Sequence, residues 1–133
     1  MTRIEIFSKF IKQLDTLQKL EKGWFPGRPN STVPTEDAYL SAPSFIAAVL
    51  LADRTNNYDQ FQFSAVADNE LQLDVGNSDK RYAEVNFRSD GSTEAKYVVD
   101  GELRDLGRGF PECLETVLSY LSDCQCVEVL HGD

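Results

Sequence analysis

The chain has 133 residues, of which 41% are hydrophobic and 26% charged, the proportions of a soluble globular domain with one core. Thirteen Lys and Arg against 22 Asp and Glu leave a net charge of −9, a field that repels nucleic acid phosphates and draws in basic surfaces. The longest apolar run, FIAAVLLA, falls far short of the roughly 20 residues that span a bilayer, and three cysteines do not make a secreted disulfide framework.

The charge is unevenly spread. Residues 1–34 hold six basic and three acidic side chains, a balance of +3, while the rest of the chain holds seven and 19, a balance of −12. No Lys or Arg follows Arg108, against five carboxylates. MTRIEIFSKF mixes charge into its apolar residues and has no small-residue cleavage site, so it does not read as a secretory signal. Cytoplasmic residence with reduced thiols is the expectation.

Phe7, Phe10, Ile11, Leu14 and Leu17 recur at i, i+3, i+4, i+7, which predicts a helix over residues 3–22. Gly23 stands where a left-handed residue would end it, and Trp24 where an apolar side chain would pack back onto the last turn. Trp24 therefore reads as an anchor first and as an exposed contact second. Pro26, Gly27, Pro29 and Pro34 exclude helix and central strand from the loop that follows. Thr35 before Glu36 and Asp37 reads as an N-cap with first-turn acids, opening a second helix to about Arg54. Pro43 predicts a kink or break in it near Ser41.

From Phe61 the period changes from 3.6 to 2. Phe61, Phe63 and Ala65 alternate with polar residues, as do Leu71, Leu73 and Val75, then Ala83, Val85 and Phe87, then Ala95, Tyr97 and Val99. Asp68-Asn69, Gly76-Asn77, Asp90-Gly91 and Asp100-Gly101 are turn dipeptides between them. Four strands of an antiparallel meander follow, with Glu102–Asp105 as a short fifth. Pro111 suits the first turn of a last helix with Leu114, Val117, Leu118 and Leu121 as its core stripe, and the tail CQCVEVLHGD reads as a short strand or a loose end. No repeat or linker divides the chain, so residues 1–133 are expected to form a single α+β domain: two N-terminal helices, the meander, and a C-terminal helix packed on the sheet.

Signs of catalysis are few. The single histidine, His131, lies two residues from the end, and neither G-x-S-x-G nor G-x-x-x-x-G-K occurs. LGRGFPE reads as the turn into the last helix. Carboxylates at alternating positions, Asp74, Glu84 and Glu94, read as a solvated strand face more than a general acid/base pair. Cys113, Cys124, Cys126 and His131 are the right ligand types for tetrahedral zinc, but C-x10-C-x-C-x4-H lacks the C-x2-C knuckle, and Cys113 sits in an apolar stripe where free cysteine is common. No cofactor is expected. Among exposed residues, Tyr82 is out of phase with its strand's apolar positions and should project from the polar face, while Trp24, Phe25 and Arg28 are the residue types that dominate interface hot spots.

Leu17-x-x-Leu20-x-x-Gly23-Trp24 opens a Pro/Gly loop, and a helix and a meander containing DNELQLDV and YAEVNFRSDGS follow. Over about residues 14–100 this resembles a loose group of small, largely uncharacterised bacterial and phage proteins with an L-x-x-L-x-x-G-W motif, met in mobile-element and toxin–antitoxin neighbourhoods. Val75 stands where that pattern often has Trp. The resemblance transfers no catalytic residue and implies a small accessory domain.

Together these readings lead to one expectation. The chain is expected to be a non-catalytic acidic binding domain of the immunity, antitoxin or anti-defence kind that inhibits or neutralises a basic protein, with proteins that handle nucleic acid as one such class. Direct nucleic acid and membrane contact are not expected. The expected contact residues are Trp24, Phe25, Arg28, Tyr82, Glu84, Glu112 and Glu115. The alternatives are a small Cys/His metal-binding protein or a structural assembly subunit, and a homodimer through an unpaired sheet edge stays open.

Overall fold

The computed structural model describes residues 2–21, 23–24, 27, 32–53, 61–66, 69–76 and 78–131, with backbone alone for 125–131. Helix α1 spans Arg3–Gln18, and Thr2 caps it by accepting from the Glu5 N–H. It ends four residues earlier than the apolar spacing suggests. Lys19 and Leu20 donate to the carbonyls three residues back, tightening the last turn into 3₁₀ geometry that closes the helix without a left-handed residue. Gly23 is left-handed at φ +85°, but it serves a separate turn in which the Trp24 N–H donates to the Glu21 carbonyl at 3.1 Å.

The second helical segment breaks where Pro43 requires. Helix α2 (Glu36–Leu40) is capped by the Thr35 hydroxyl, and α3 (Ala42–Ala52) restarts after Ser41 with the proline in its first turn, where its missing N–H costs nothing. The Thr35 hydroxyl also donates to the Ser89 carbonyl at 2.7 Å, tying this cap to a strand hairpin.

Five strands follow: β1 (Phe61–Val66), β2 (Glu70–Val75), β3 (Arg81–Phe87), β4 (Thr93–Val99) and β5 (Glu102–Arg108), paired antiparallel in chain order. Asp100 and Gly101 both have positive φ, the twist-matched two-residue turn expected of an Asp-Gly hairpin. β5 runs through Gly107 and Arg108, so LGRG belongs largely to a strand and not to the turn before the last helix. Its register passes from Tyr97 opposite Asp105 to Val98 opposite Leu103, leaving Arg104 as a bulge.

Helix α4 (Phe110–His131) carries the backbone of CQCVEVLH in its last turns, where a strand or loose end was expected. Its buried stripe is Cys113, Thr116, Val117, Tyr120 and Leu121, with Leu114 and Leu118 on the flank of the core. The stripe is rotated from the leucine spacing because Gly107 lets the helix backbone settle directly on β5.

Among the described residues the four helices cover one face of the sheet: α1 lies against β1, α2 against β2, and α4 across β3 to β5, with α3 between α1 and α4. Ring contacts run through this core from Phe10 to Phe63, Phe87, Phe45 and Phe110, with centroids 5.5 to 6.2 Å apart. Both sheet edges are already engaged. At β1 the outward Phe63 N–H donates to Gln13 Oε1, and at β5 the Leu106 and Arg108 N–H groups donate to Asp105 Oδ1 and Glu112 Oε2, each at 2.9 Å. Strand addition at either edge, including a homodimer formed that way, would have to displace these side chains.

Candidate functional site

The sheet face away from the helices is uncovered, and the period of 2 decides what it presents. β2 contributes Gln72 and Asp74, β3 contributes Tyr82 and Glu84, β4 contributes Glu94, Lys96 and Val98, and β5 contributes Leu103, Leu106 and Arg108. Registration places Asp74 directly opposite Glu84, and Glu84 opposite Lys96. Two carboxylates facing each other across neighbouring strands destabilise a sheet by a few tenths of a kcal/mol, up to about 1. Donors offset this here. The Gln72 amide donates to Asp74 Oδ1 at 2.6 Å and Glu84 Oε1 at 3.1 Å, and Lys96 Nζ stands 3.4 Å from Glu84 Oε2. Further along, Glu94 is shared by Arg88 at 3.0 Å and Arg108 at 3.5 Å.

Beside this pair the surface dips into an open hollow of about 620 Å³ lined by Gln62, Asp74, Ser78, Asp79, Tyr82 and Glu84. Three carboxylates border it, and Lys96, which does not line it, pairs with Glu84 Oε2. Tyr82 floors one side, half-buried and registered opposite Val98. Val98 in turn leads to Leu103 and Leu106, which are 57% and 41% exposed on the outermost strand. The face therefore carries carboxylates over β2 and β3 and an apolar patch of Val98, Leu103 and Leu106 on β4 and β5, with Glu94, Lys96 and Arg108 alongside it. A charged rim around apolar anchors is the anatomy of protein–protein contacts. The carboxylates accept from an amide and an ammonium, so cationic side chains are the ligands that this chemistry suits.

The expected contact residues fall into separate places. Tyr82 and Glu84 are brought together on the open face. Glu112 and Glu115 lie on the first turns of α4, in the opposite layer, and Glu112 is committed to the Arg108 N–H. Trp24 is half-buried, and its indole Nε1 donates to the Thr32 carbonyl at 2.8 Å, so it closes the Pro/Gly loop on itself. Phe25 and Arg28 lie outside the described residues, as do the side chains of Cys126 and His131. Cys113 is fully buried, its thiol 3.5 Å from the Gly107 carbonyl, and burial pushes its pKa up. Among the described residues no group of three or more His, Cys, Asp or Glu side chains is gathered as a metal site would need, and no helix is long and apolar enough to cross a membrane.

Sequence reasoning missed Leu103 and Leu106. Their spacing of three breaks the strand period, and only the bulge at Arg104 brings both to the same face. Gln72 was visible as a strand polar residue, but its role as a bridge between two carboxylates depends on registration. No protein-family model, no curated protein and no solved structure matches the chain.

Proposed function

We propose that this chain is a non-catalytic acidic protein-binding domain that occupies the basic surface of a partner, one that itself handles nucleic acid, and so neutralises it. The observation that carries this reading is the hollow of Asp74, Asp79 and Glu84 set beside Tyr82, Val98, Leu103 and Leu106. Lysine or arginine side chains of the partner would enter the hollow, and its apolar residues would cover the leucines. The contact belongs on this face more than at Glu112 and Glu115, because Glu112 already satisfies the edge of β5. The net charge of −9 favours fast association with a basic surface, with rates raised roughly 10 to 10³-fold at low salt. It also mimics the phosphate-rich ligand such a partner would otherwise hold.

Affinity capture from the native host's lysate, at low and high salt and with nuclease treatment in parallel, tests the reading. A basic protein that is retained after nuclease and released by salt supports it. Capture that depends on nucleic acid, or no capture under any condition, contradicts it.

A further inference from the structure

Registration lines up the residues of the open sheet face in rows across the strands. Tyr82, Val98 and Leu103 form one row, and Asp74, Glu84, Lys96 and Leu106 form the next. The first row is an apolar ridge. Val98 is only 8% exposed although it lies outside the helix-side core, because Tyr82 and Leu103 flank it on the outer side, and Leu103 stays 57% exposed. The second row changes sign along its length, from two carboxylates on β2 and β3 to an ammonium on β4 and a leucine on β5. In the row beyond, Glu94 is held between Arg88 and the Arg108 of β5, so β5 adds a cation to that side.

Such a face can meet a copy of itself in two aligned ways. A two-fold axis perpendicular to the strands lays β2 on β2 and β3 on β3, carboxylates against carboxylates. An axis parallel to the strands, between β3 and β4, lays β3 on β4 and β2 on β5. Glu84 then stands over Lys96 of the second copy, Tyr82 over Val98 of the second copy, and Asp74 beneath the strand that brings the cation. Glu84 and Lys96 already pair within one chain at 3.4 Å, and the axis closes two such pairs into a ring of alternating charge. We infer that the open sheet face pairs with a second copy of this chain about this parallel axis. Five strands of six or seven residues, spaced about 4.8 Å with a rise of about 3.3 Å per residue, present roughly 500 Å² per copy. About 1,000 Å² buried in total is the lower limit for a specific interface, so the dimer is weak and depends on concentration. It uses the face assigned above to a basic partner, so the two contacts exclude each other. Its argument rests on registration and stands whether or not that partner exists. Salt separates the two contacts. Chains of −9 each repel at long range, so self-association strengthens as salt screens that repulsion, whereas capture of a basic partner weakens.

The test needs only the purified full chain. Sedimentation is measured from about 10 μM to about 1 mM, at about 0.01 and 0.15 M salt, while methyl and amide NMR shifts are followed on dilution. A monomer–dimer equilibrium within that range is expected, tighter at the higher salt, with dilution shifts at Tyr82, Val98, Leu103 and Leu106. Glu84→Lys alone and Lys96→Glu alone each set like charges across the axis, and each should weaken the dimer at least about tenfold. Mixed in equal amounts, the two variants set opposite charges across it again and should recover the original affinity within a few fold. Bulk charge predicts a different order, in which Glu84→Lys, with the smaller net charge, self-associates best. Leu103→Asp, at an exposed position, should also cost about tenfold or more with the thermal midpoint unchanged, and it serves if a charge variant is unstable. A chain that stays monomeric at about 1 mM, dilution shifts confined to other surfaces, a dimer untouched by Leu103→Asp, or a mixture no tighter than the separate variants would overturn the inference.

Discussion

A Cβ placed on Gly107 would lie 2.6 Å from the Glu112 carbonyl oxygen and 2.7 Å from Thr116 Oγ1, so α4 rests on this position with backbone against backbone. Gly107→Ala must lift the helix from β5, and we expect a loss of about 1–3 kcal/mol in a urea titration, the cost of overpacking a tight contact. At the sheet's other end, Arg81 Nη1 donates to the Tyr97 hydroxyl at 2.9 Å, and Tyr97 meets Tyr120 edge-on at 5.5 Å. Burial, aided by the Asp123 carboxylate to which it donates, pushes Tyr97 up to about 12, and burial with the Cys124 contact raises Tyr120 as well. A raised folded pKa means that the unfolded phenol loses its proton first. The stability is therefore whole below about pH 10 and drains away as pH climbs from there toward 12. Denaturation midpoints should fall across that window, and the fall should be smaller for Tyr97→Phe. An unchanged slope in that variant would show that Tyr97 is not the group responsible. Neither feature was legible in the sequence. LGRG gives no sign that its first glycine underlies a helix, and Tyr97 looked like one more alternating apolar residue.

Elements were read more easily than residues, and for a physical reason: periodicity and turn chemistry are local. The four alternating segments became β1 to β4 with the Asp90-Gly91 and Asp100-Gly101 turns as expected, Asp68 and Asn77 of the other two turn dipeptides lying outside the described residues, and Pro43 split the second helix at Ser41 as its missing N–H demands. Boundaries that depend on tertiary contact were not readable. α1 stops at Gln18 by a tightened last turn and does not run on to Gly23, β5 extends to Arg108 beneath α4, and the core stripe of α4 follows Cys113, Thr116 and Tyr120 in place of a leucine row. Thr35 was recognised as a cap, but its reach to Ser89 was not, since that residue lies 54 positions away. Thr35→Ala removes both bonds. We expect it to cost about 2 kcal/mol, the upper end for a lost N-cap, in a thermal or urea melt, while Thr35→Ser should restore most of it. A loss of only about 1 kcal/mol, the ordinary cost of a lost cap, would mean that the hairpin bond contributes nothing.

At the scale of the whole molecule, the helix-covered face and the open sheet face differ in cover, and both carry charges of either sign. The sequence shows a basic first quarter and an acidic remainder, but it cannot show that Asp74, Asp79 and Glu84 gather in a hollow on the sheet face away from the helices. Candidate contacts scattered along the chain were sorted by the fold. Tyr82 and Glu84 share a surface, Trp24 closes its own loop, and Glu112 serves a strand edge. At the edges, strand addition would have to displace Gln13, Asp105 and Glu112 from the N–H groups they accept from.

The most direct measurement compares two double charge reversals that change the net charge equally but lie in opposite layers. One is Asp74→Lys with Asp79→Lys, in which the new lysine opposite Glu84 keeps the strand pair complementary, and the other is Glu112→Lys with Glu115→Lys. Binding of the captured basic partner is then measured for each at fixed salt. The sheet-face variant should lose at least about a hundredfold in affinity while the α4 variant stays within a few fold of the unaltered chain. Equal losses in both would reduce the effect to bulk charge, and retained binding by the sheet-face variant would contradict the assignment of the partner to the hollow.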